Sequence, residues 1–138
     1  MENFAACVAL SAPDAQAGLA PEVSYCLAQA FADRVSVPRA VYAGGSLVGF
    51  VMYRYDEAEK RGVIARLMID TKHQKSGFGG ETMAAALREL RAIAGIECVR
   101  TWYRGENNIA GRLCQRAGFA PTGELTESGE HICELRVV

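Results

Sequence analysis

A chain of 138 residues, half of them apolar, suffices for one hydrophobic core and one domain, expected to span residues 1–138. A formal net charge of -1 argues against nucleic acid or an acidic membrane surface as partner, and no apolar run reaches membrane-spanning length. The five cysteines are odd in number, scattered, and lack Cys-x-x-Cys spacing, so neither a disulfide framework nor a structural metal is expected, and the expected location is cytoplasmic.

In chain order, residues 2–9 read as a short helix with Phe4, Cys7 and Val8 on one stripe, and Ser11 to Ala20 as a loop. Pro21 suits a helix start, and Val23, Cys26, Leu27, Ala30 and Phe31 recur at helical spacing through Asp33. From Arg39 the period turns strand-like. Ala40 to Ala43 and Leu47 to Tyr55 flank Gly44-Gly45, a hairpin signal, and the charged turn Asp56 to Gly62 leads into a strand from Val63 to Ile69. Three antiparallel strands are expected.

A polar turn then opens through glycines into a helix starting near Gly79, with Met83, Leu87, Leu90 and Ala94 on its buried face. Ile96 to Tyr103 reads as a further strand, Gly105 to Asn107 as a loop, and Asn108 to Ala117 as a helix stopped by Gly118. Phe119 to Leu125 and His131 to Val137 close the chain as a hairpin over Ser128-Gly129. The fold class is α/β (α+β).

The strand-to-helix bend is where chemistry is expected. The first turn of a helix leaves backbone N–H groups unpaired at the positive end of its dipole, and anions bind there. Gly77, Gly79 and Gly80 would let a phosphate approach those groups closely. The spacing excludes a nucleoside-triphosphate P-loop, and the later glycine and ribose-binding acid of a dinucleotide fold are missing.

What remains, Gln74-x-x-Gly77-x-Gly79, resembles the acetyl-CoA pyrophosphate loop of the GNAT family of N-acetyltransferases. Asn107-Asn108-Ile109-Ala110-Gly111-Arg112-Leu113-Cys114-Gln115-Arg116-Ala117-Gly118-Phe119 resembles that family's second signature, in the family's order and at its separation. Within the family, Pro38-Arg39-Ala40-Val41-Tyr42-Ala43-Gly44, Val48-Gly49-Phe50-Val51-Met52-Tyr53 and Arg66-Leu67-Met68-Ile69-Asp70 most resemble the bacterial spermine/spermidine and diamine acetyltransferases.

The resemblance implies a mixed, mostly antiparallel central sheet flanked by helices. The family begins with a strand before its first helix, and this sequence begins at or inside that helix, so the first edge strand is expected to be missing. Either another chain would then cover the exposed edge, with a homodimer as the expected assembly, or the edge is an aggregation liability, or the native chain starts upstream of Met1.

The resemblance also implies acetyl-CoA as co-substrate, no metal, and a small-molecule amine as acceptor. Leu67, Met68 and Ile69 would hold the pantetheine arm and acetyl group where their strand splays from the one ending at Tyr103. Gln74, Lys75, Ser76, Gly77, Phe78, Gly79 and Gly80 would hold the pyrophosphate, and Asn107 would bond the arm or cap its helix. The family's usual proton donor is a tyrosine whose position here is Cys114. Cys114 and Tyr103 are therefore the two candidate acids, with Cys114 also readable as a core residue.

The eukaryotic spermidine/spermine enzymes place acidic residues just before the acyl-CoA strand, where this chain has Ala65 and Arg66. Asp56, Glu57, Glu59 and Glu106 are the acidic candidates near loops, and Tyr53 and Tyr55 either line the acceptor site or pack the sheet. Direct acetyl transfer in a ternary complex is the function implied. A non-catalytic acyl-CoA-binding module and a protein lysine or N-terminal acetyltransferase are the alternatives.

Overall fold

A computed structural model of the chain describes residues 23–33, 35–70 and 77–137, with side chains from residue 28 onward. The elements run α1 (Val23–Asp33), β1 (Val37–Ala43), β2 (Ser46–Asp56), β3 (Arg61–Ile69), α2 (Phe78–Arg91), β4 (Cys98–Tyr103), α3 (Asn108–Ala117), β5 (Ala120–Leu125) and β6 (His131–Arg136). The expected helix at residues 2–9, the loop after it, and the question of a strand ahead of α1 lie outside the described residues.

The strands form one sheet in the order β1-β2-β3-β4-β6-β5. All neighbours are antiparallel except β3 and β4, which run parallel because α2 carries the chain back across the sheet. Gly44 and Gly45 close the β1–β2 hairpin with φ of 58° and 88°. Two successive positive φ values match the turn to the right-handed twist of its strands. The second hairpin turns over Ser128-Gly129 as expected, with the Thr126 N–H donating to Glu130 and the Gly129 N–H to Thr126.

The sheet has two covered faces. On one, Val51, Tyr53, Ile64 and Val99 meet Met83, Ala86, Leu87 and Leu90 of α2, Cys114 of α3, and Phe119 and Cys133. On the other, Phe50, Met52, Ala65 and Met68 form a smaller cluster joined by Ala30 of α1 and by Trp102. We call these the α2 face and the α1 face.

Several sequence expectations need correction. α2 ends at Arg91, so Ala94 falls in the turn beyond it and is exposed rather than buried. Phe31 is 84% exposed, because Ala30 turns that part of α1 toward the sheet and Phe31 lies about a quarter-turn around the helix. β1 begins at Val37, earlier than expected, with Pro38 admitted on a strand that has a described neighbour on one side only.

Candidate active site

Strand β3 keeps its pairing with β2 along its length, up to Ile69 opposite Gly49, and β4 keeps its pairing with β6 up to Tyr103 opposite His131. Between them, pairing covers only Arg61, Gly62 and Val63 against Cys98, Val99 and Arg100. Past that point Thr101 replaces the ladder with its side chain, its hydroxyl donating to the Ile64 carbonyl at 2.8 Å. The strands then diverge, and Leu67 to Ile69 line one wall of the gap while Trp102 and Tyr103 end the other.

A β-bulge at Ala65 sets which side chains face which way. Tyr53 stands opposite Ile64 and Met52 opposite Arg66, so Ala65 is the extra residue. Ile64 and Leu67 consequently share the α2 face, while Ala65 and Met68 share the α1 face.

The chain crosses from β3 to α2 at the mouth of this gap. Gly77 caps α2 with φ 80°, a left-handed conformation that a side chain strains, and no side chain caps the helix. A Cβ at Gly80 would meet nothing within 4 Å, so the helix start is open on that side. Gly79 lies against Leu113 of α3, where a Cβ would sit 3.7 Å from its Cδ1. Gln74, Lys75 and Ser76 lie outside the described residues.

Tyr103 projects from the end of β4 onto α3. A Cβ at Gly111 would stand 3.2 Å from its Cε2 and 3.6 Å from its hydroxyl, so the glycine makes the seat for the ring. The His131 ring stacks on the other side, 5.9 Å between centroids. Burial, followed by the nearby sulfurs of Cys133 and Cys114, pushes the Tyr103 hydroxyl above its ordinary pKa, so it stays protonated through the neutral range.

Cys114 is placed differently. It is 6% exposed within the α2-face core, and a hydrogen bond with Cys133, together with burial, pushes its thiol up. The Cys133 thiol is itself directed at the Thr101 carbonyl at 3.7 Å. Asn107 caps α3, its Oδ1 accepting from the Ala110 N–H at 3.2 Å, which leaves its side-chain NH₂ for another partner.

Of the remaining sequence candidates, Glu106 is exposed in the turn between Tyr103 and Asn107, and the others lie elsewhere. Asp56, Glu57 and Glu59 sit in or beside the β2–β3 turn, at the end of β3 opposite the gap. Tyr53 packs in the core and donates to Glu89 of α2 at 2.5 Å, and the Tyr55 hydroxyl lies near Gly95. Both tyrosines are sheet packing. Thr101 and Gly111 were not singled out from sequence. A glycine inside an amphipathic helix was the available signal for Gly111, and nothing marks Thr101 beforehand.

Residues 5–119 match the family described as the Acetyltransferase (GNAT) family. The chain belongs to the GNAT acetyltransferases. A spermine/spermidine N(1)-acetyltransferase of Bacillus subtilis is 34% identical over 139 residues, covering 95% of this chain and 90% of that protein. Among solved structures, the spermidine N-acetyltransferase of Vibrio cholerae in complex with CoA and spermine superposes with a TM-score of 0.67 at 18% identity, covering 83% of this chain and 73% of that one. The PaiA N-acetyltransferase of Thermoplasma acidophilum in complex with coenzyme A gives 0.65 at 16%, covering 83% and 69%. These two likenesses show the fold.

As a GNAT protein the chain is an acetyl-CoA-dependent N-acetyltransferase acting on amines, and the non-catalytic reading is not favoured. The mixed, mostly antiparallel sheet of the described residues, with its flanking helices, matches that of these structural neighbours. No group of three or more His, Cys, Asp or Glu among the described residues is arranged to hold a metal ion, and no described helix is long and apolar enough to cross a membrane.

Proposed function

We propose that the protein transfers acetyl from acetyl-CoA to the primary amine of a small molecule of the diamine or polyamine class, by direct attack within a ternary complex. The observation that carries this reading is the gap between β3 and β4, which opens beside the glycine-rich start of α2. The acceptor class rests on the curated relative's name.

The residues fit the co-substrate. Beyond Val63 the edge of β3 is not paired with β4, so Leu67, Met68 and Ile69 would hold the amide-rich pantetheine arm along that wall. Gly77, Phe78, Gly79 and Gly80, with Gln74, Lys75 and Ser76 before them, would hold the pyrophosphate at the open helix start. The Asn107 NH₂, free of its capping task, would bond the arm. Bound acetyl-CoA supplies an activated thioester.

Attack by a neutral amine leaves a thiolate that needs a proton. Tyr103 fits the donor role better than Cys114. Its hydroxyl stays protonated and is only half-buried beside the gap, whereas the Cys114 thiol is shut in the core against Cys133. The acid would thus come from β4, with Gly111 giving its ring the room.

The proposal extends to a single catalytic domain, a cytoplasmic location and a homodimer. Free thiols at Cys98, Cys114 and Cys133 suit a reducing compartment, and β1 has a described neighbour on one side only. Calorimetry with acetyl-CoA, CoA release with a panel of amines, and sedimentation test these points. Binding without turnover on any amine overturns the catalytic reading.

A further inference from the structure

Two arginines flank the gap on the α1 face, and each has a buried nitrogen that no described residue satisfies. Arg66 stands opposite Met52, a member of the α1-face cluster, so its side chain leaves β3 on that face. Arg104 is the first residue beyond β4 and opens a turn, its carbonyl accepting from the Asn107 N–H; Tyr103 and Gly105 on either side of it both lie against His131, which leaves the opposite side, that of Trp102, to Arg104. Trp102 packs into the cluster of Ala65 and Met68. Arg66 and Arg104 therefore border the same surface around Trp102.

The Nε atoms of Arg66 and Arg104 are both buried without a hydrogen-bond partner among the described residues. Two other half-buried arginines, Arg100 and Arg61, are matched. Arg100 meets Glu134 at 2.7 Å and Glu124 at 3.3 Å, and Arg61 lies 3.6 Å from Glu59. A buried donor left without a partner is costly, and the planar fork of an arginine whose Nε is buried is completed by the paired oxygens of a carboxylate or phosphate. The described part of the glycine-rich cradle belongs to α2, which packs on the other face of the sheet, so a pyrophosphate held there would lie on the side away from this pair.

We propose that Arg66 and Arg104 bind an acidic group of the acceptor, so that the acceptor carries a carboxylate or phosphate in addition to its amine. This rests on the amine-acetylating function proposed above and narrows its substrate class. A diamino acid meets both demands. A plain polyamine would bring only positive charge to two cations.

The test is equilibrium binding in the presence of saturating CoA, which needs no turnover and so separates this claim from the catalytic one. Paired probes differ by one acidic group: lysine against cadaverine, and phosphoethanolamine against ethanolamine. The acidic member of at least one pair is expected to bind about tenfold more tightly, the scale of one charge-assisted hydrogen bond. Arg66→Met and Arg104→Met are each expected to bring the pair close to equality while CoA affinity, titrated separately, stays within about twofold. Equal or absent binding within both pairs overturns the proposal, as does a loss that falls on CoA instead, which would assign the arginines to coenzyme phosphates. The wild-type comparison stands even if a variant fails to fold.

Discussion

Replacing Tyr103 by Phe, with Cys114→Ala as its counterpart, separates the two candidate acids by opposite effects on rate and stability. Tyr103→Phe keeps the ring that fills the space at Gly111 and stacks on His131, and it removes no hydrogen bond to a described residue. Stability should therefore move by less than ~0.5 kcal/mol. If the hydroxyl delivers the proton to the leaving thiolate, kcat should fall by about 10²–10⁴, or roughly 3–5 kcal/mol of transition-state stabilisation. The KM for acetyl-CoA should barely change, since the hydroxyl is not part of the cradle.

Cys114→Ala should behave in the opposite way. Cys114 is 6% exposed and its sulfur contacts Cys133, so deleting it leaves a small void worth about 1 kcal/mol. For a domain of this size that lowers Tm by about 3–5 °C. Turnover measured well below the transition should stay within about twofold. Chromatographic quantification of CoA gives the rate and calorimetry the melting temperature. Near-normal turnover in Tyr103→Phe together with loss in Cys114→Ala would refute the assignment of the proton to β4.

Gly80→Asp probes the cradle, because a Cβ there meets nothing within 4 Å and an acid in the first helical turn suits the dipole. The variant should melt no lower than wild type while its KM for acetyl-CoA rises at least about tenfold; an unchanged KM would move the pyrophosphate elsewhere. Leu90 is fully buried over Gly62 of β3, so Leu90→Ala should cost about 2–5 kcal/mol, read as a lower denaturant midpoint with the m-value unchanged. Burial holds Tyr53, Tyr103 and Cys98 above their ordinary values of 10.0, 10.0 and 9.0. The folded state thus keeps protons that the unfolded chain has released, and stability should be fully present below pH 9 and fall as pH rises through 10 and beyond. An alkaline titration of Tm that stays flat to pH 11 (about one unit past the tyrosine value) would contradict those burials.

The parts of this fold legible in the sequence are those fixed by local chemistry. Gly44-Gly45 announces a tight hairpin, Gly118 stops a helix, and Asn107 starts one, because each acts on the backbone within a few residues of itself. The glycine bend at the head of α2 was legible for the same reason. What escaped depends on partners distant in the chain. Tyr53 is a packing residue because Glu89, on another element, receives its hydroxyl. The acidic run from Asp56 to Glu59 is removed from the site because the chain reaches the gap only at the far end of β3. Helical spacing put Phe31 on the stripe of Ala30, but which residue of a stripe meets the sheet is decided by tertiary packing.

The bulge at Ala65 is the clearest case, and it carries the site. Side chains on a strand alternate, so an unbroken β3 would send Arg66 to the face of Ile64, under α2, and Leu67 to the face of α1. One extra residue reverses both placements. Leu67, like Tyr103 and Leu113, packs against the α2-face core, and Arg66 comes out on the side of Trp102. The same inserted residue precedes the stretch where β3 and β4 part, and Thr101 ties that junction to the Ile64 carbonyl. Opening the gap and choosing which side chains face it are thus adjacent consequences of local strand geometry. No residue type between Val63 and Ile69 advertises it, since Ala65 is small and apolar and would sit equally well in a regular strand.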